Sequence, residues 1–306
     1  MSDTVLDRVA EGVSSKATPS RGLRNPWRKP WGLRLVTIGY LAWSVLPVVI
    51  AVIFSFNSGR SRSTWQGFSL RWWTQDPFNS LFNDPSLRAA MFQSLKLSLL
   101  TVLIAVPLGT AFAIGIDRWH GRPARGSNFL MLLSFVVPEM ILGVSLFLLF
   151  TQLLQGLGLS GTPAQILGLV TFQMSYAVVI VRARMLSIGP EYEEAAMDLG
   201  ATPGRSIRRV LLPLLAPAIL ASVAVVFADS IDNFVIVRYL SGSADSEPLS
   251  VKIYSAARGS PTPAVNAAAT VMLLATVGAV VVGYLLYRAF SKGQRGDDVT
   301  SIASQV

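Results

Sequence analysis

Residues 191–213 read EYEEAAMDLGATPGRSIRRVLLP, a polar stretch of helix-forming composition set between two apolar runs long enough to cross a bilayer. Pro190 suits a first helical position, and Glu191, Glu193 and Glu194 put negative charge in the first turn, where the helix dipole favours it. Gly200 suits a left-handed C-terminal cap, so the spacing predicts one short helix ended on purpose. Thr202 then offers an N-cap hydroxyl with Pro203 behind it, and a second helix carries Arg205, Arg208 and Arg209 before apolar character resumes at Leu211. Residues 190–213 therefore form a helical elbow with the chemistry of a docking element. The plainer alternative is an amphipathic helix in an ordinary loop.

The rest of the chain explains where such an elbow would sit. Its 306 residues are 52% hydrophobic and 14% charged, with no cysteine. The mean hydropathy is +0.51. Those values fit a polytopic membrane protein rather than a soluble globule. The net charge of +9 does not point to nucleic acid, because the basic residues flank apolar runs instead of gathering in one patch.

Six apolar runs follow one another, near 33–56, 95–116, 129–154, 166–181, 214–237 and 265–287. Most reach the roughly 20 residues that a spanning helix needs. The fourth is shorter but can extend back to Pro163, or forward past Arg182 by snorkelling. Of the 26 lysines and arginines, 18 fall in residues 1–34, 117–127, 182–212 and 288–306. Positive charge marks the cytosolic side, so both termini and the elbow are expected there. The expected organisation is a polar cytosolic tail (1–32), a transmembrane domain (33–290) and a second cytosolic tail (291–306). No short apolar region with a small-residue cleavage site precedes the first long run, so no cleaved signal peptide is expected.

On the opposite side, 57–88 forms the longest loop and holds Trp65, Phe68, Arg71, Trp72 and Trp73, a density that fits a surface packed on membrane or partner. A Gly-rich turn (155–162) and a polar segment (241–263) complete that side. Pro47, Pro107 and Pro138 lie inside spans and favour kinks. No phosphate-binding Gly-x-x-x-x-Gly-Lys loop occurs, so any ATPase is a separate chain. His120 is the sole histidine and, with no cysteine, makes a metal or catalytic site improbable. Neither a catalytic residue nor a cofactor is expected.

Acids in the apolar runs carry the functional signal: Glu139 after Pro138, and Asp229 and Asp232 in AVVFADSIDNFVIV. A carboxylate in hydrocarbon costs several kcal/mol, so such groups face a partner or an aqueous cavity. Asp229 and Asp232 are three apart and share a helical face. A cavity of that sign favours cations. The competing reading is structural: Arg182, Lys96 or Arg238 could neutralise these acids, and Glu139 could cap a helix broken at Pro138.

The elbow also carries a resemblance. Glu194-Ala195-Ala196, three residues, Gly200, nine residues, then Val210-x-Leu212-Pro213 resembles the EAA signature of permease subunits of bacterial ABC importers, with Val210 for the usual Ile. Ser55-Phe56-Asn57, the aromatic loop, VVPEMILGVSLFLLF from Val136 and DNFVIVRYLSG from Asp232 are similar to the second permease subunit of spermidine and putrescine importers, over about residues 40–290.

This resemblance implies an all-α, six-helix type I importer transmembrane domain in the bacterial inner membrane. It implies that Glu194, Ala195, Ala196 and Gly200 couple to a dimer of ATPase subunits, alongside a homologous second permease and an external binding protein. It also implies a substrate pathway through Glu139, Asp229, Asp232 and Asn233. Where this branch has a second acid, the chain has Asn233; where it often has His in the fourth span, the chain has Leu169. Ferric iron, thiamine or another solute remain alternative cargoes. A proton-coupled secondary transporter and a structural scaffold are the readings from other classes.

Overall fold

The computed structural model describes residues 31–61, 64–118, 126–127, 129, 133, 136–259 and 262–303, with side chains as far as residue 288 apart from 286. The expected N-terminal tail (1–30) and His120 lie outside the described residues. Two compact units are distinguished, 1–50 and 51–306. The first contains most of α1 (Trp31–Phe54), an apolar helix long enough to cross a bilayer.

In the second unit the regular structure among the described residues is helical, apart from an isolated antiparallel bridge between Asn57 and Phe68. The long helices are α2 (Pro85–Arg118), α4 (Thr162–Ile188), α6 (Pro203–Asp232) and α9 (Pro263–Ala303). Shorter pieces are α3 (Glu139–Leu153), α5 (Glu191–Asp198), α7 (Val235–Leu240) and α8 (Leu249–Arg258). α2 packs on α4 and α6, α4 on α6, and α6 on α9, while α7 lies against α3 and α4.

Small residues let α2 and α4 approach. A side chain at Gly109 would come within 2.7 Å of the Ala177 Cβ and 2.9 Å of the Met174 carbonyl, so glycine is required there. Ala105, Val106, Ala177 and Val226 fill the seam. At the end away from the elbow the buried amide of Gln165 takes a hydrogen bond from Gln93 (3.0 Å) and donates to the Ser241 hydroxyl and the Ser246 carbonyl (both 2.9 Å). These bonds tie α2, α4 and the segment after α7 together.

Several sequence expectations change. The fourth span does extend both ways, to Thr162 and Ile188. The fifth run is not one helix to 237: α6 stops at Asp232, Asn233 is extended at φ −56°, ψ 122°, and α7 restarts at Val235. Of the three prolines, Pro47 and Pro107 remain inside continuous helices, whereas Pro138 (ψ 132°) separates α3 from the residues before it. α9 is helical through 291–303, the segment expected as the cytosolic tail. The polar segment 241–263 contains α8.

The aromatic loop is a folded cap that still presents exposed Trp65 and Phe68. Trp72 is fully buried and donates its indole N–H to the Asn57 carbonyl at 2.7 Å. Asn57, equally buried, bonds the backbone of Ser61, Thr64 and Gln66 through its amide. Asp76 accepts the backbone N–H groups of Asn79 (2.9 Å) and Phe78 (3.2 Å) and pairs with Arg71 at 3.1 Å. Those amide bonds, with the guanidinium beside them, hold its carboxyl below the usual carboxylate range.

Candidate functional site

Glu139, Asp229, Asp232 and Asn233 lie far apart in sequence, yet all four line one cavity of about 580 Å³. Ala224, Val225, Ala228, Phe234 and Val280 complete its wall. Two helix breaks create it. Pro138 leaves the helical region at ψ 132° and α3 begins at Glu139, whose carboxylate sits in the first turn where the helix dipole favours it. The expectation that Glu139 marks a helix broken at Pro138 is thus compatible with its place in the cavity.

The second break is organised by Asn233. Its side-chain oxygen accepts the Ile236 N–H at 3.1 Å, capping α7, and its carbonyl accepts the Ser250 hydroxyl at 2.8 Å. Its amide nitrogen then donates to Glu139 Oε1. An aspartate here could not donate that bond unless it took up a proton. The residue that replaces an acid in the sequence pattern therefore serves the neighbouring acid as a donor.

Asp229 is held in a similar way, by Gln173 of α4, whose Nε2 donates to Asp229 Oδ2. Gln173 is fully buried, and its Oε1 has no hydrogen-bond partner among the described residues. Sequence reasoning weighed only charged groups in the spans and missed it, although an amide in TFQMSYAV is itself an anomaly in an apolar helix. Leu169, one turn earlier, belongs to the buried apolar core instead. Asp232 is exposed.

Phe234 was also missed. Its ring meets Tyr254 of α8 at 4.7 Å between centroids, and the Arg258 guanidinium lies 4.5 Å over the other ring of that pair. Among the described residues the ion pairs are Arg71–Asp76, Arg118–Asp117, Arg118–Glu193 and Arg238–Glu247. None includes Glu139, Asp229 or Asp232. Arg238, one of the cations that could have neutralised them, turns to Glu247 at 3.8 Å.

At the far end of α6 the elbow has its expected shape. α5 ends in a Schellman arrangement: the Ala201 N–H reaches the Ala196 carbonyl at 3.0 Å, the Gly200 N–H reaches Met197 at 2.8 Å, and Gly200 is left-handed at φ +87°. Pro190 stands just before the helix, not in it. Thr202 occupies the N-cap position of α6, but its side chain makes no capping bond. Glu194, Ala195 and Gly200 are exposed and Ala196 is half-buried, while Leu199 stands 90% exposed. Glu193 is the buried acid of this helix and pairs with Arg118 at the end of α2.

Apolar helices long enough to span a bilayer, a polar elbow at one end and an acid-lined cavity between them define a membrane permease. The chain belongs to the family described as binding-protein-dependent transport system inner membrane components, which matches residues 105–296. It is 34% identical over 270 residues to the putrescine transport system permease protein PotI of Escherichia coli strain K12, covering 86% of this chain and 92% of that one. It is 32% identical over 271 residues to the spermidine/putrescine transport system permease protein PotC of the same strain, covering 86% and 98%. Among solved structures, a bacterial ABC transporter that imports the acidic polysaccharide alginate aligns with a TM-score of 0.69 at 19% identity, over 85% of this chain and 94% of that chain. The MetNI methionine ABC transporter aligns at 0.53 and 17% identity, over 66% and 93%. These likenesses establish the fold as that of an ABC importer transmembrane domain. The protein is a multi-pass component of the bacterial inner membrane.

Proposed function

We propose that this chain is one permease subunit of an ATP-driven polyamine importer, and that the cavity lined by Glu139, Asp229, Asp232 and Asn233 is its share of the translocation pathway. The observation that carries this reading is the composition of the wall: three carboxylates with no basic residue, interleaved with Ala224, Val225, Ala228, Phe234 and Val280. A polyamine is a chain of ammonium groups separated by methylenes, so acids can meet its charges while the apolar patches meet its carbons. A volume of about 580 Å³ is in the range that encloses small ligands, roughly 300–1,000 Å³. The names of the putrescine and spermidine/putrescine relatives support the same cargo.

A homologous second permease would complete the pathway, and a binding protein would deliver cargo at the end formed by the aromatic cap and α8. ATP hydrolysis belongs to a pair of ATPase subunits that dock on the elbow. Glu194 would meet a basic group there, Ala195 and Ala196 would allow close approach, and Gly200 supplies the turn that ends the docking helix. Closure of the ATPase pair would move the elbow and, through α6, the helix that carries Asp229 and Asp232.

Radiolabelled putrescine and spermidine uptake in a strain lacking this chain tests the reading. Restoration by the wild-type gene and not by Asp232→Asn, at equal protein levels, is the expected result. Full uptake by Glu139→Gln, Asp229→Asn and Asp232→Asn alike would remove the case for an acid-lined path.

A further inference from the structure

We infer that the Arg118–Glu193 ion pair is a latch that carries the elbow's motion into α2, distinct from the face that docks the ATPase. The inference rests on the docking role proposed for the elbow and extends it inward. Arg118 is the last residue of α2, and it stands between two carboxylates: Asp117 beside it at 2.6 Å, and Glu193 of α5, seventy-five positions away, on its Nη2. The Glu193 side chain is 10% exposed and that of Arg118 29%, so water screens the pair only in part. The same turn of α5 exposes Glu194 and Ala195 on its other side. One short helix thus presents Glu194 outward and Glu193 inward.

The elbow has two routes into the bundle. One is covalent, since residues 203–232 form a continuous helix that leaves it through a π-helical turn at Ile207–Leu211. The other is Arg118. α2 is 34 residues long, about 50 Å at 1.5 Å per residue, and it packs on α4 through Gly109 beside Met174 and Ala177. Gln173, the donor to Asp229, lies next to Met174 on α4. A displacement of α5 with the latch intact therefore moves α2 and α6 together, with α4 packed against both. Without the latch, α2 follows α6 only through their side-chain packing, and the elbow end of α2 loses its ion-pair tie to α5. Arg118 and Glu193 are positioning residues, and neither touches cargo.

Glu193→Gln is the cleanest test, because Arg118 retains Asp117 and is not left as an orphan charge. The complex is reconstituted in liposomes with its ATPase and binding protein, and assembly, stimulated ATP hydrolysis and putrescine uptake are measured together. We expect normal assembly and hydrolysis with uptake lowered about tenfold, so that ATP used per putrescine imported rises by the same factor. A cysteine pair at 118 and 193, free of interference because the chain has no native cysteine, should show the same defect and regain uptake when a short bismaleimide bridges it, but not when a monomaleimide caps each thiol. Wild-type uptake by Glu193→Gln, loss of hydrolysis in step with uptake, or failure of the bridge to restore transport overturns the latch. An assembled, fully active Glu194→Lys complex overturns the docking reading beneath it instead.

Discussion

The elbow and the cavity lie at opposite ends of α6, and they treat their acids differently. In the elbow Glu194 stands in solvent with its charge unspent, next to an exposed Leu199 and a glycine that fixes the turn. In the cavity two of three carboxylates already accept an amide from within the chain, Glu139 from Asn233 and Asp229 from Gln173. Only Asp232 is left without such a donor among the described residues. A surface that awaits a protein partner can leave a charge in water at little cost. A charge within the apolar bundle must be partly satisfied before cargo arrives, or the helix that bears it is not stable in the membrane. The two ends therefore predict different mutational behaviour.

The largest effect belongs to the elbow. Gly200→Val forces a β-branched residue into φ +87°, and Glu194→Lys reverses the exposed charge. Each should abolish uptake, at least a hundredfold, by preventing productive docking, while the subunit still inserts. Co-purification of the ATPase subunits with the tagged permease measures it; normal co-purification together with normal uptake would assign the elbow to an ordinary loop.

Next come the cavity acids. Asp232→Asn removes a charge with little change of size, and a charge-assisted bond to an ammonium is worth roughly 1.5–3 kcal/mol, or about one to two decades. The loss should fall on the maximal uptake rate, since the binding protein sets capture affinity, and ATPase co-purification should be unchanged. An equal loss of folded protein would mean that Asp232 is structural.

A smaller effect is expected at the amide donors. Gln173→Leu keeps the volume and removes the bond to Asp229, so the carboxylate loses its orientation but not its charge. Uptake should fall several-fold, less than in Asp232→Asn. If the two variants were equally impaired, orientation would matter as much as charge.

How much of this was legible beforehand follows from range. The elbow's Schellman turn depends on residues five apart, so spacing alone predicted Gly200 correctly, and composition located the apolar helices but not their ends, since α2 covers 85–118 and the third run appears among the described residues as the shorter helix 139–153. Thr202 failed as a capping side chain, because Pro203 set the helix start without needing its hydroxyl. The three cavity acids were named from the cost of carboxylates in hydrocarbon, and Asn233 from the resemblance. Their pairings were not, because Glu139 meets Asn233 across 94 positions and Gln173 meets Asp229 across 56, and no local pattern encodes that register. Trp72 was equally beyond local pattern: in a loop whose Trp65 and Phe68 stay at the surface, its indole is buried against Asn57.

The smallest expected effect is at Asp76, an acid whose needs are met wholly by its own loop and which serves as a control for the other two classes. Its carboxylate accepts the Asn79 and Phe78 amides and the Arg71 guanidinium, and its pKa lies below the ordinary value. Asp76→Asn keeps an oxygen for the amide bonds and loses the ion pair, whose Arg71 side chain is 43% exposed and therefore well screened. The loss of stability should be under about 1 kcal/mol, with uptake unchanged. A depressed carboxylate stabilises the folded state above its unfolded pKa, about 3.9, and that stability is lost as pH falls through the lower folded value. The wild-type advantage in thermal midpoint over Asp76→Asn should accordingly be constant from pH 7 to pH 5 and shrink below about pH 4. If the difference persisted undiminished to pH 3, the ionised form would not be its source, and the contribution would lie in packing of the cap instead. If uptake fell with Asp76→Asn while stability held, the Arg71–Asp76 pair would be needed to keep the cap in the shape that transport requires.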